Sequence, residues 1–230
     1  MARHGKKYNQ VAEKVDRETQ YTLEGAIQFL KDNPTTKFDA TAEVAFRLGV
    51  DPTKSDQAVR GTVVLPNGTG KKVTVLVFAN GPAADAAREA GAEYVGYEDM
   101  LEKVKGGFTG FDVAIATPDA MKEVRKLGTV LGPRGLMPNP KTGTVSDDTA
   151  SAVKACKAGR VEFRMDRNGN VMVPFGKMSF TTEALCANCK AVIDALNAAR
   201  PAAAKGLFIK RASVTSSMGP GLRLDPRVTA

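Results

Sequence analysis

The sequence predicts two domains: a discontinuous α+β domain built from both termini, at residues 1–66 and 160–230, and an inserted α/β domain at 67–159. Two patterns give this fold class. Near both termini, apolar and polar residues alternate as in strands that are buried on one face. Between them, short apolar runs alternate with helical segments of about ten residues, which is typical of βαβ units around a parallel sheet. With 43% apolar residues in 230, the chain has enough material for two cores.

In the first part of the chain, a helix and two strands are expected after a basic arm. Thr22 is a residue type that caps helix N-termini, and the apolar periodicity of a helix follows it. Residues 41–50 alternate like a strand, so Phe46 should face the core while Arg47 faces the other side. A second strand is expected at 60–65.

The middle of the chain has a different pattern. Residues 73–79 (VTVLVFA) form a nearly continuous apolar run, which is expected of a strand buried on both faces. A Gly- and Pro-rich loop at 132–143 precedes a helix that ends at Gly159. The other elements expected here are helices at 82–90, 97–105 and 118–126 and strands at 93–95 and 111–116.

In the last part, the alternating pattern returns. Asn168-Gly169 lies between strand-like stretches at 161–165 and 170–174, and this dipeptide favours a two-residue β-hairpin. A long amphipathic helix is expected at 181–199. Two further strands are expected, at 206–213 and 221–224.

The chain crosses between the two predicted domains twice. Asn67 and Gly68 follow a proline at the first crossing, and Gly159 stands at the second. Paired crossings favour a hinge between domains, so these three residues are candidate hinge residues.

The positive charge is concentrated in the last third of the chain. Of 33 Lys and Arg residues, 11 lie in residues 160–230, against only 5 of the 25 Asp and Glu residues. Uneven basicity of this kind favours a polyanion as partner, because neutralising phosphates releases condensed counterions. Solubility alone is the alternative explanation of the charge.

The composition excludes several classes of protein. The only histidine is His4, so neither a serine-protease triad nor a histidine metal cluster can be built. No run of some 18 apolar residues predicts a membrane-spanning helix, and the N-terminus lacks the apolar stretch of a secretion signal. Three cysteines, an odd number, favour a reducing compartment over a disulfide framework. We therefore expect a cytoplasmic protein with no membrane partner.

Motifs for nucleotides and metals are incomplete. Residues 67–73 (NGTGKKV) lack the spacing of a phosphate-binding loop, and no Gly-x-Gly-x-x-Gly follows a strand. The inserted α/β domain nevertheless leaves a nucleotide-dependent enzyme open as an alternative. Cys186 and Cys189 have the spacing of half a zinc site without a second pair, so small residues on one helix face are the preferred interpretation. No catalytic residue, metal or cofactor is expected.

Two short segments have the chemistry of RNA recognition. Lys37 and Phe38 place a cation beside a ring that can stack on a base, although a core position for Phe38 is the simpler interpretation from these residues alone. The turn at 216–219 combines two hydroxyls, the thioether of Met218 and Gly219, which permits close backbone approach. By itself it can equally be a simple strand connection.

A DNA-binding architectural protein stays open as a third class of function, beside an RNA-binding protein and a nucleotide-dependent enzyme.

Several motifs together resemble the bacterial ribosomal protein L1 family. The resemblance spans the chain from the His4 arm to Pro226, and its most specific segments are 131–141 (LGPRGLMPNPK) and 215–220 (TSSMGP). The other matching segments are 35–41 (TTKFDAT), 51–52 (DP), 55–57 (SDQ), 59–62 (VRGT), 91–95 (GAEYV) and 159–164 (GRVEFR).

The resemblance implies a fold and a function. The fold is α+β and α/β, with a discontinuous first domain and an inserted Rossmann-like three-layer α/β domain. The function is that of a structural protein of the large ribosomal subunit, not an enzyme, which is a monomer within the ribosome. The implied partners are large-subunit (23S) rRNA at the mobile stalk, exit-site tRNA whose release the protein assists, and the mRNA of its own operon, whose translation it represses.

The resemblance also implies RNA-binding residues. Position 217 is Ser where many relatives have Thr, so the hydroxyl is kept; Met172 stands where many relatives have His, which leaves a polar contact there open. The 132–143 loop, with Arg134 and Lys141, resembles a second and weaker contact to stalk RNA. The implied main RNA-binding residues are Lys37, Phe38, Thr41, Ser217, Met218 and Gly219.

Overall fold

The computed structural model describes residues 5–16, 18–204 and 206–225; His4 and the side chains of Ser55 and Lys141 lie outside this description. The chain divides into two compact units. Met1–Gly70 and Val161–Ala230 form one, here called the terminal unit, and Lys71–Arg160 form the other, here called the inserted unit.

The helices and strands alternate along most of the chain. The described helices are α1 (Lys6–Ala12), α2 (Leu23–Asp32), α3 (Pro82–Glu89), α4 (Glu98–Lys105), α5 (Met121–Val124), α6 (Gly128–Leu131), α7 (Thr149–Lys157) and α8 (Thr182–Ala198). The described strands are β1 (Thr41–Leu48), β2 (Arg60–Val64), β3 (Val75–Phe78), β4 (Tyr94–Gly96), β5 (Val113–Ala116), β6 (Arg160–Arg164), β7 (Asn170–Lys177), β8 (Ile209–Ser216) and β9 (Leu222–Arg223). Short 3-10 turns lie at Ser55–Gln57, Arg125–Leu127 and Pro140–Thr142.

The terminal unit is built around a four-stranded antiparallel sheet in the order β7-β1-β8-β9. Alternate residues of β1 are buried, and Val44 and Phe46 belong to a core that also contains Ile27 of α2 and Val192 of α8. Arg47, between two buried positions, is exposed. The predicted alternation is therefore confirmed, and the two helices cover one face of the sheet.

Both main helices of the terminal unit begin after a threonine cap, and the cap predicted at Thr22 is confirmed. Thr22 Oγ1 accepts a hydrogen bond from the Gly25 amide at 3.2 Å, and Thr181 Oγ1 accepts one from the Ala184 amide at 3.2 Å. A threonine hydroxyl at this position satisfies one of the four amides that the first helical turn leaves without a partner.

Three cysteines of the described chain are buried and free. Cys186 and Cys189 belong to the core between α8 and the sheet, as the preferred interpretation of their spacing predicted. Burial raises the pKa of the Cys189 thiol to about 12, so it stays protonated at neutral pH. Among the described residues, no three His, Cys, Asp or Glu side chains are grouped as ligands for a metal ion.

The predicted hairpin at Asn168-Gly169 is wrong in its pairing. The turn itself forms, with Gly169 at φ 77° and the Asp166 amide donating to the Asn170 carbonyl at 2.8 Å. However, β6 pairs with β2 in a separate two-stranded sheet, while β7 pairs with β1. Because β7 supplies the edge strand of the main sheet, its ladder is directed to β1 rather than to its sequence neighbour.

The inserted unit contains a parallel sheet in the order β4-β3-β5. All four residues of β3 are buried, as the apolar run predicted. Leu76 and Phe78 pack in a core with α4 and the α5–α6 segment, whereas Val75 and Val77 pack in a second core with α3 and α7. Helices thus cover both faces, and the predicted fold class is confirmed.

One helix of the inserted unit differs from its prediction. The segment expected as a single helix at 118–126 begins at Met121, tightens into the 3-10 turn Arg125–Leu127 and continues as α6. Val124, Leu127 and Leu131 are all buried, so the break keeps successive apolar residues on the core side.

Within the described ranges, no helix is long and apolar enough to cross a bilayer.

The unit boundaries lie a few residues from the predicted crossings. The Asn67 amide donates to Asn188 Oδ1 at 3.0 Å, and Asn188 Nδ2 donates to the Gly68 carbonyl at 3.0 Å. Asn188 is fully buried on α8, so Asn67 and Gly68 are held by the terminal unit and the division follows Gly70. Gly159 has φ 98°, one residue before the second division. Their role as a hinge stays a prediction.

Candidate RNA interface

Two of the residues implied for RNA binding are hydrogen-bonded to each other, although they lie 176 residues apart in sequence. The Thr41 amide donates to Ser217 Oγ at 3.0 Å, and the Ser217 amide donates to the Thr41 carbonyl at 3.1 Å. They meet because β1 begins where β8 ends, with Ala42 opposite Ser216 in the antiparallel register. The two chain ends therefore form one continuous edge at this end of the sheet.

Lys177 is a residue of this edge that the sequence interpretation missed. It lies opposite Thr41 in the register of β1 and β7. Its Nζ donates to Thr41 Oγ1 at 3.0 Å and to the Asp39 carbonyl at 3.3 Å. The ammonium group is therefore fixed beside the Thr41–Ser217 pair. The sequence shows only a lysine near a strand end, because its position depends on the long-range pairing.

The turn after β8 presents Met218 to solvent. The Gly219 amide donates to the Ser216 carbonyl at 2.9 Å, and Thr215 Oγ1 donates to the Gly219 carbonyl at 3.1 Å. A Cβ atom at position 219 would collide with Ser216 Oγ, so glycine permits this tight closure. The Met218 side chain is 62% exposed.

The loop before β1 holds Lys37 and Phe38 at the same end of the sheet. Asp39 carboxylate oxygens accept hydrogen bonds from the Ser179 amide at 3.1 Å and from Ser179 Oγ at 2.8 Å. Thr36 Oγ1 donates to the Phe38 carbonyl at 3.0 Å. The Phe38 ring is 60% exposed, so the simpler interpretation of Phe38 as a core residue is wrong. An exposed ring on a tethered loop is available for stacking on a base.

The sheet face opposite the helices is not covered by them and is mainly basic, although Glu43 lies on it together with Arg47. Arg47 and Arg211 face each other directly across β1 and β8, and both are exposed. Like charges in this position destabilise a sheet, and a bound polyanion would relieve that repulsion. Arg223 lies opposite Ser213 at the β8–β9 pair, and Met172 is exposed on β7. The basic face adjoins the edge formed by Thr41 and Ser217.

The residues implied for the second RNA contact belong to the inserted unit. Arg134 is exposed and donates a hydrogen bond to Thr109 Oγ1. The surrounding loop is fixed from within: the Leu136 amide donates to the Leu131 carbonyl at 3.0 Å, and buried Thr142 donates to the Asn139 carbonyl at 3.0 Å. Lys141 stands in the Pro140–Thr142 turn, with its side chain outside the description. This second contact stays a prediction.

A cavity of about 630 Å³ lies beyond the carboxyl ends of β3 and β5 in the inserted unit, where open α/β sheets bind ligands. Its lining includes the carboxylates Asp119, Asp147 and Asp148. Three negative groups repel the phosphates of a nucleotide. The cavity therefore does not favour the alternative of a nucleotide-dependent enzyme.

Comparison with known proteins identifies the family to which the chain belongs. The model of the family described as "Ribosomal protein L1p/L10e family" matches residues 30–220, more than half of the chain. The chain belongs to this ribosomal protein family. It is 55% identical over 226 residues to the large ribosomal subunit protein uL1 of Bifidobacterium animalis subsp. lactis, covering 98% of this chain and 99% of the relative. It is 53% identical over 226 residues to the protein of the same name from Lactobacillus delbrueckii subsp. bulgaricus, covering 98% of both chains.

Membership of the family confirms the resemblance found in the sequence and the expected ribosomal, cytoplasmic location. The relatives are ribosomal proteins, a structural class of proteins rather than an enzyme class. Their matches extend over both units of the chain, so both belong to the family architecture.

Proposed function

We propose that this ribosomal protein, a structural constituent of the large subunit, binds large-subunit rRNA at the mobile stalk through the terminal unit. The observation that carries the proposal is the fixed edge in which Thr41 and Ser217 bond to each other, flanked by exposed Phe38 and Met218. Two hydroxyls, a ring and a thioether lie at one end of a basic sheet face. These groups can contact the phosphates, 2′-hydroxyls and bases of a folded RNA.

The chemistry of the edge suits ribose better than deoxyribose. Ser217 Oγ accepts from the Thr41 amide at 3.0 Å and keeps a lone pair for a partner, while its proton is directed to the Thr41 carbonyl in a long contact of 3.5 Å that a stronger acceptor can replace. A ribose 2′-hydroxyl is both donor and acceptor, and it is the group that separates RNA from DNA. The tight turn at Gly219 allows a sugar to approach the backbone closely.

Affinity is supplied by the basic face. Arg47, Arg211 and Arg223 are exposed on the uncovered side of the sheet, and Lys177 is fixed at its edge. Each phosphate that they neutralise releases counterions, which makes binding dependent on salt. Phosphate contacts orient the RNA, and the edge at Thr41 and Ser217 selects its shape.

The proposed function includes regulation. The same surface binds the mRNA of the protein's own operon, where an RNA fold imitates the rRNA site, and thereby represses translation. Since the binding groups on the terminal unit are preformed, any RNA that presents the same backbone shape can occupy them. The two RNAs therefore compete for one surface.

At the stalk, the protein assists release of exit-site tRNA. In this proposal the terminal unit anchors the protein to the stalk, while Arg134 and Lys141 of the inserted unit make the weaker second contact. Asn67, Gly68 and Gly159 form the hinge between them. The protein acts as a monomer within the ribosome, without cofactor and without catalysis.

Chemical protection of large-subunit rRNA by the full chain tests the proposal. We expect protected nucleotides to be confined to the stalk, and we expect Met218→Asp to need a higher protein concentration for the same protection. An excess of operon leader RNA should abolish the protection, whereas duplex DNA should not. Protection spread evenly over the rRNA, or equal competition by DNA, would contradict the proposal and favour a nonspecific or DNA-binding role.

A further inference from the structure

A cavity of about 290 Å³ opens beside the candidate RNA interface in the terminal unit. It lies between the loop that precedes β1 and the ends of β7 and β8, since Phe38, Met178 and Ser216 all line it. Leu30 of α2 adds a further apolar wall. Its volume is at the lower limit for ligand cavities, enough for one ring system and its sugar edge.

One polar group of a lining residue has no hydrogen-bond partner within the part of the chain that the structure describes. Thr35 Oγ1 is buried from solvent and makes no hydrogen bond with the described residues. The neighbouring polar groups are occupied: Thr36 Oγ1 donates to the Phe38 carbonyl, and the Asp39 carboxylate accepts from Ser179. A buried hydroxyl without a hydrogen bond is destabilising, and buried polar groups are nearly always satisfied. In this rotamer the hydroxyl is closed off from the empty cavity, so a ligand there can satisfy it once the Thr35 side chain rotates about its Cα–Cβ bond.

We propose that this cavity receives one unpaired nucleobase of the bound RNA, extruded from its stack. The inference rests on the proposed function and adds to it a base-binding pocket. The walls formed by Leu30, Phe38 and Met178 suit the flat apolar faces of a base. The Thr35 hydroxyl can donate to or accept from the edge of the base, because a hydroxyl does both.

The position of the cavity favours RNA as the source of the base. Phe38 lines the cavity and is also 60% exposed, so it connects the interior of the pocket with the candidate interface. Ser216 lines the cavity and is the residue before Ser217, which bonds to Thr41. A nucleotide whose ribose and phosphate lie at the Thr41–Ser217 edge is therefore next to the pocket.

A matched pair of variants at position 35 tests the pocket. Thr35→Val removes the hydroxyl and keeps the shape, whereas Thr35→Ser keeps the hydroxyl. We expect Thr35→Val to bind a stalk rRNA fragment about 3- to 10-fold more weakly, the effect of one lost hydrogen bond, and Thr35→Ser to bind like the wild type. The melting temperature of free Thr35→Val should not fall, since the unpaired hydroxyl is gone. A purely structural role of Thr35 would instead lower both quantities together.

Fluorescence of a substituted base identifies which nucleotide of the RNA enters the cavity. In fragments carrying 2-aminopurine at one unpaired purine at a time, we expect a single position to change its emission on binding, and Thr35→Val to alter that change. Unchanged affinity of Thr35→Val with no responsive position would overturn the pocket while leaving the proposed function intact. Failure of the wild type to bind the fragment would overturn both. Saturable binding of a free mononucleotide more tightly than the fragment would contradict RNA as the source.

Discussion

The two units of the chain use their sheets in opposite ways. In the inserted unit, helices cover both faces of the parallel sheet, and all residues of β3 are buried. In the terminal unit, α2 and α8 cover one face only, so β1 alternates between buried and accessible residues. A sheet covered on both sides can bind ligands only at its ends, whereas a sheet with a free face offers an extended surface. The difference explains why the basic face and the candidate edge occur in the terminal unit.

The largest expected effect is on the free energy of unfolding, and it differs between the buried and the exposed side of β1. Phe46→Ala should lower the free energy of unfolding by about 3–5 kcal/mol, because the ring is buried in the core. Arg47→Ala, on the uncovered side, should change it by no more than about 0.5 kcal/mol. Urea denaturation of the two variants measures both values. Similar losses for the two would show that the second face of the sheet is also packed.

The next effect concerns RNA binding by the exposed apolar residues of the edge. Phe38→Ala and Met218→Asp should each weaken binding of a stalk rRNA fragment by about 1–3 kcal/mol, the scale of one stacked or buried contact. A gel-shift titration measures the change. Leu207→Ala is the matched control, since Leu207 is 68% exposed but lies before the opposite end of β8. Wild-type affinity for both edge variants would remove the edge from the interface.

Salt dependence distinguishes the uncovered face from the covered one. Arg47→Ala and Arg211→Ala should each reduce the slope of log affinity against log salt by about 0.7–0.9, which corresponds to one phosphate contact. Lys190→Ala makes the same change of charge on α8, the helix that covers the other face, and should leave the slope unchanged. Equal slopes for all three variants would mean that the salt dependence follows the net charge of the protein and not the position of each charge.

The smallest expected effect is on acid stability and involves one carboxylate in each unit. The hydrogen bond from Lys71, followed by that from the Thr74 amide, lowers the pKa of Asp112 in the inserted unit below its ordinary value of 3.8. In the terminal unit, the Asn170 amide chiefly lowers the pKa of Asp166. A lowered folded pKa stabilises the protein above the unfolded pKa, and this stabilisation is lost as the pH falls through the folded pKa.

Melting curves between pH 5 and about pH 3 test this expectation, since that window spans the ordinary pKa of an Asp side chain. The wild type should lose stability as the pH falls. Asp112→Asn should melt lower than the wild type at pH 7 and should lose less on acidification. A variant curve parallel to that of the wild type would contradict the linkage through Asp112.

Local patterns predicted most of the elements but not their long-range pairing. The alternation around Phe46, the cap at Thr22 and the buried run at Val75–Phe78 were predictable because each depends on neighbours in sequence. The partner of β7 was not, since Asn168-Gly169 favours a local hairpin and the sheet provides β1 instead.

The candidate interface was predictable in its residue types but not in its geometry. Lys37 and Phe38 were recognised from the residues and the resemblance, but only the structure decides that Phe38 is exposed. Lys177 carries no local signal, because its position depends on pairing with β1 far away in the chain. Nor does the sequence show that Thr35 Oγ1 is buried without a hydrogen bond to the described residues.

Ultraviolet crosslinking of the full chain to a stalk rRNA fragment, followed by peptide mapping, tests the central claim most directly. If the uncovered side and edge of the terminal-unit sheet bind RNA, crosslinked peptides will contain Phe38 and Met218. Crosslinks confined to α8 or to the inserted unit would contradict the account.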